Sequence, residues 1–191
     1  FDLAGAQRIE VLRGPVSVLY GNSSGGVIAL FTAPVKAGVA EVGLDAGSFG
    51  LRQGRISVAA PLGQVAGGAL DLRASLSKLE LDGFRPQSAA DRQLGNVRLG
   101  WQGSSDSVTV QVSDHNQSAQ DPLGLNWGQF TTDPRQTNPI ALPGFDPTTP
   151  ATLRFNTRKT IRQTQAGVNW RHQFGDGGVL RESSLTLYDG S

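Results

Sequence analysis

The chain has 191 residues, and its 25 Gly and 10 Pro against 38% hydrophobic residues punctuate it too densely for long helices, which points to β structure with many turns. Its 17 Lys and Arg balance 16 Asp and Glu to a net charge of +1, with no run of either sign, so nucleic acid is not an expected partner. The absence of Cys excludes disulfides, thiolate zinc sites and cysteine nucleophiles over this length.

The chain opens at Phe1 without an initiator Met or a leader and stops at Ser191 just after a strand-like run, so both ends read as cuts in a longer protein. From Arg8 to Leu12, Ile9 and Val11 alternate with Arg8 and Glu10 as in a strand, which Gly14-Pro15 ends. Residues 14–35 carry no charge and match a membrane-spanning helix in length. Pro15 and the turn residues from Gly21 to Gly26 break that stretch into a helical turn at Val16–Leu19 and a buried strand at Val27–Phe31.

From Val39 onward, runs with a period of two alternate with turn residues. Leu70, Leu72, Ala74 and Leu76 fall on one face of a strand, with Asp71, Arg73 and Ser75 between them. Val97, Leu99 and Trp101 repeat the pattern, as do Val108, Val110 and Val112. The alternation predicts seven strands, near 39–48, 50–60, 68–80, 92–102, 107–116, 158–173 and 179–189. Compact turns are expected at Pro61–Gln64, Gly103–Asp106 and Gly175–Gly178. The connections at the other end vary, from Ser48-Phe49-Gly50 through 82–91 to a proline-rich stretch at 117–157. Short turns at one end and variable loops at the other are the pattern of an outer-membrane barrel. Trp101, Trp170 and Phe174 gather at the short-turn end, as an interfacial aromatic girdle would. Alternation by itself also suits a soluble sandwich, in which the apolar faces would meet each other.

One segment is more specific. Residues 7–32 contain Arg8-Ile9-Glu10-Val11-Leu12-Arg13-Gly14-Pro15, then Leu19-Tyr20-Gly21, then Gly25-Gly26 and the apolar run to Phe31. This order closely resembles the C-terminal end of the plug domain of TonB-dependent receptors. The resemblance implies an all-β chain in two parts: residues 1–36 as the C-terminal part of a plug, and 37–191 as the first strands of an antiparallel up-and-down transmembrane β-barrel, with 117–157 an extracellular loop. It implies location in the bacterial outer membrane, contact with its lipid, and a full barrel of about 22 strands. Energy would come from TonB and its inner-membrane complex.

Within that family, the plug wording and the loop pieces Asp121-Pro122-Leu123-Gly124 and Phe155–Lys159 look most like receptors for ferric siderophores. Cobalamin, haem and saccharide receptors share the plug motif, and a passive porin or an outer-membrane enzyme is the more distant alternative. No catalysis is expected, and no cofactor; iron enters only within the transported chelate. By resemblance, Arg13 belongs to a charged contact between plug and barrel wall that Glu10 joins; the alternative is that Arg13 only ends its strand. Trp127, Phe130 and Arg135 on the long loop are candidate ligand contacts, since aromatic and cationic groups suit a flat anionic chelate; the alternative is that they pack the loop onto itself. His115 and His172 have no second His or carboxylate cluster at ligand spacing, so no protein-held metal is expected.

Overall fold

The computed structural model describes residues 6–14, 25–32, 35–139, 149–175 and 179–191. The expected helical turn at Val16–Leu19, the loop prolines Pro143 and Pro147 and the turn residues 176–178 lie outside them. Two antiparallel sheets account for the strands. The first pairs β1 (Ala6–Arg13) with β2 (Gly26–Thr32), so that Ile9 faces Leu30 and Val11 faces Ile28. The expectation that Val27–Phe31 is buried is not met: Ile28 is 61% exposed and Phe31 38%. A two-stranded ribbon has two faces to cover and too few residues to cover both.

The second sheet is a seven-stranded meander in strict chain order: β3 (Val39–Ala46), β4 (Arg52–Val65), β5 (Gly68–Leu81), β6 (Ala90–Gln102), β7 (Asp106–Gln120), β8 (Arg158–Gln173) and β9 (Glu182–Gly190). Every neighbouring pair is antiparallel and the sheet is not closed. The fold class is therefore that of an all-β barrel fragment.

The alternation read from the sequence becomes continuous rows across this sheet. Ala60, Leu72, Leu99, Val110, Val168 and Leu187 face one another from β4 to β9 on one surface. On the other surface Glu41, Ser57, Ser75, Asn96, Ser113 and Gln165 form a polar row. No second sheet covers the apolar surface, and among the described residues Leu94, on the polar side, is the single buried large hydrophobe. A sandwich would bury its apolar rows in a core about 10 Å thick, and no such core forms among the described residues.

The apolar band also drifts as it crosses the sheet. In β3 it comprises Ala40, Val42 and Leu44, but the row through Val42 runs by Ile56 and Leu76 to Gly95, Asp114 and Thr164 and so turns polar. Nearer the short turns, the row Leu70, Trp101, Val108, Trp170 and Leu185 stays apolar to the last strand. A level belt cut across tilted strands moves along the register in this way, as in a barrel with inclined strands.

Three boundaries differ from expectation by three residues or more. Pro61–Gln64 is not a turn; it lies inside β4, and the hairpin closes through Ala66-Gly67, both with positive φ. Pro61 falls where β4 has outrun β3 and where its register on β5 shifts at a bulge, two settings in which a strand tolerates proline. β7 continues to Gln120 instead of stopping near 116, because Ser118, Ala119 and Gln120 still pair with Thr160, Lys159 and Arg158. These residues put no large apolar side chain on either face, so periodicity could not show them. The long loop consequently starts at Asp121, and its described residues include two short helices, α1 (Trp127–Thr132) and α2 (Ala151–Arg154). β9 starts at Glu182, three residues after the expected 179.

Candidate functional site

The variable connections at one end of the sheet assemble into a single cluster. The β3–β4 turn holds the β5–β6 loop directly: the N–H groups of Asp82 and Gly83 both donate to the Phe49 carbonyl, at 3.0 and 3.1 Å. Phe49 and Phe84 then meet edge to face, with ring centroids 5.2 Å apart. The β5–β6 loop is tied in turn to the long loop. Gln87 Nε2 donates to Asn156 Oδ1 at 2.9 Å, and the Gln120 N–H donates to the Ala89 carbonyl at 2.8 Å. The base of the long loop is closed by the Asp121 N–H on the Thr157 carbonyl, and by Thr157 Oγ1 returning a bond to the Asp121 carbonyl at 2.6 Å.

Within the long loop, residues 122–138 form a unit with its ends joined. The Asn138 N–H donates to the Pro122 carbonyl at 3.0 Å, and Gln136 Nε2 donates to the Gln129 carbonyl at 2.6 Å. Asn126 caps α1 in a reciprocal box with Gln129, satisfying donors that a helix start leaves open. On this helix Trp127 and Phe130 stack, with centroids 5.9 Å apart and planes 25° from parallel. Trp127 is 77% exposed and Phe130 50%, a large aromatic surface on a braced support. Of the five described non-glycine residues with positive φ, Phe49, Gln87, Leu123 and Asn156 all lie in these loops. Backbone strain of this kind persists only where surrounding contacts over-determine it, and it gathers at functional surfaces.

Of the three loop residues singled out from the sequence, the structure brings Trp127 and Phe130 together and places Arg135 elsewhere. The Arg135 guanidinium lies over the Phe84 ring, 5.4 Å from its centroid, so it joins the long loop to the β5–β6 loop. Phe49, Phe84 and Arg85 were not singled out. Their roles depend on partners dozens of residues away, and the one local signal was two aromatics in otherwise polar connections.

The polar surface of the large sheet is the second candidate. Arg98 Nη1 meets Asp71 Oδ1 at 2.9 Å, with both side chains about three-quarters covered, and the more open pair Arg55–Asp45 is 2.7 Å apart. The end of β2 approaches this surface. A cavity of about 620 Å³ is bounded by Leu30, Thr32 and Lys36 on one side and Glu41, Arg73 and Arg98 on the other. Glu10 and Arg13 do not sit together. Glu10 pairs with Arg8 on its own face of β1, Nε to Oε1 at 3.1 Å, whereas Arg13 is exposed at the strand end on the opposite parity. Arg8 also lies over Phe31, 4.2 Å from its ring centroid.

At the short-turn end, on the apolar surface, Asp106 Oδ1 accepts from Trp170 Nε1 at 3.0 Å and stands 2.9 Å from His172 Nδ1. Phe174 meets the His172 ring edge to face at 4.6 Å. Trp101 Nε1 donates to the Val65 carbonyl at 2.7 Å. Of the aromatics expected as a girdle, Trp101 and Trp170 share one row, and both indole N–H groups donate hydrogen bonds.

No family model matches the chain. Among solved structures it is similar to FpvA of P. aeruginosa in a complex with a heterologous pyoverdine and Fe, with a TM-score of 0.65 and 19% identity. The match covers 92% of this chain and 23% of that one, so the chain spans about a quarter of the length of the protein it resembles. At that identity the likeness establishes the fold alone: this chain is arranged as a fragment of an all-β barrel.

Proposed function

We propose that the chain is part of a TonB-dependent outer-membrane transporter, comprising the end of the plug (residues 1–36) and the first strands of the barrel (37–191), and that the whole protein imports a ferric siderophore. The observation that carries this reading is the exposed apolar band on one surface of the meander, with a charged surface behind it that the β1–β2 sheet approaches. Bare apolar rows suit lipid, and an ion-paired polar wall suits a lumen holding a removable plug. The likeness to a TonB-dependent siderophore receptor supports the same assignment, as does the plug-like wording of residues 7–32.

In this reading the loop cluster faces outward and receives the chelate. Stacking on Trp127 and Phe130 and attraction to Arg135 supply recognition of a flat, anionic ligand. Arg13 is assigned to the plug–wall contact, with carboxylates on strands outside this chain as partners. Glu10, paired with Arg8 on the opposite face of β1, is not assigned to that contact. Energy arrives from TonB, and no catalytic step is required.

Uptake of iron-labelled siderophores tests the proposal in cells that carry the full-length gene, with and without TonB. Accumulation that depends on both the receptor and TonB is the expected result. Equal accumulation without TonB would identify a passive pore and remove the energised step.

A further inference from the structure

We infer that Arg85, on the β5–β6 loop, is the positioning residue that sets the Trp127–Phe130 pair for ligand binding. The inference rests on the reading of the loop cluster as the ligand face.

The half-buried Arg85 side chain reaches across to the long loop and binds both ends of the unit that carries α1. Its Nε donates to the Gln136 carbonyl at 2.7 Å and its Nη2 to the Pro122 carbonyl at 3.1 Å. Pro122 and Gln136 flank α1, and the Pro122 carbonyl also accepts the Asn138 N–H that closes the unit. One planar guanidinium therefore fixes the entry and the exit of the segment at once, a geometry that a lysine ammonium, a point donor, does not reproduce. Arg85 is itself held. Its N–H donates to Ser88 Oγ at 3.0 Å, and its carbonyl accepts from the same hydroxyl. The loop beneath it is anchored on Phe49.

Arg85 need not touch the ligand in this arrangement. Its effect is to lower the ordering cost of binding, because a stacking ligand gains most from rings already locked in place. Arg135 adds a second strap over Phe84, so the β5–β6 loop also holds the α1-bearing unit through that ring.

The test uses the full-length receptor in detergent and a ferric tris-catecholate as probe, with binding read for the wild type, R85K, R85Q, W127A and the double variant R85Q/W127A. R85Q is expected to weaken binding about tenfold, the scale of charged hydrogen bonds lost from a partly covered site. R85K should fall between R85Q and the wild type. If Arg85 acts through Trp127, the double variant binds no worse than the weaker single variant. Fully additive losses, or an R85Q variant that binds like the wild type, would overturn the inference. Should the wild type bind no tris-catecholate, the aromatic-chelate reading of this face falls. Arg85 is then judged by time-resolved anisotropy of Trp127, taken as the difference from a W127F version of each protein. Greater Trp127 mobility in R85Q keeps the positioning role, and unchanged mobility removes it.

Discussion

Ala66 is the one described non-glycine residue at the short-turn end that has positive φ, at 49°, and it shares a two-residue hairpin turn with Gly67 at 77°. Positive φ at both central positions marks the primed turn that matches strand twist, and Asn-Gly is its favoured pair. Ala66→Asn is therefore expected to stabilise the full-length receptor by about 0.5–1 kcal/mol, since Asn tolerates this backbone region better than Ala; the denaturant midpoint in detergent checks it. The same turn depends on a second residue. Trp101 lies flat over Gly68, where a Cβ would come within 2.5 Å of the ring, and its indole N–H closes on the Val65 carbonyl. Gly68→Ala should push the ring away and break that bond at a cost of about 1 kcal/mol. A shifted Trp emission together with a lower midpoint would show it, and an unchanged spectrum would contradict it.

At the level of a strand, the two faces of β6 and β7 make opposite demands. Leu99 lies mid-band on the apolar surface, between Leu72 and Val110, while Gln111 on the polar surface faces Arg98 and Gly167. If the apolar surface meets lipid, Leu99→Arg should cost about 2–4 kcal/mol, as for a cation placed at mid-membrane on a barrel exterior. Gln111→Glu, which meets Arg98 in a hydrated setting, should change stability by less than about 1 kcal/mol. Folding yields into lipid vesicles, read by gel mobility with and without heating, separate the two. Equal effects would mean that the surfaces have been assigned wrongly. The strand pattern that supports this contrast was legible in the sequence wherever one face was apolar. It failed at Ser118–Gln120, where neither face carries a large apolar side chain and backbone pairing maintains the strand.

For the whole chain, the meander leaves an unpaired edge on β3 and on β9 among the described residues, with a broad apolar surface beside them. Such edges and surfaces recruit other chains. Produced alone in aqueous buffer, the 191-residue chain should associate into large assemblies that detergent disperses; light scattering with and without detergent checks this. A stable aqueous monomer would count against the lipid-facing assignment.

The sequence by itself determined the β class, the number of strands in the large sheet and the parity of each apolar face, because a period of two is a local property of extended backbone. It also marked β1 and β2 through the plug-like wording of residues 7–32. Of the loop site it singled out Trp127 and Phe130 as aromatic candidates on a long loop, and only the structure showed that they share a helix and stack. The tertiary structure alone decided that Arg135 lies over Phe84 and that Arg85 holds the ends of a distant segment. Each of those facts depends on backbone carbonyls or rings brought together from remote positions, and carbonyls are identical in every residue, so no pattern of side chains announces which of them an arginine will find.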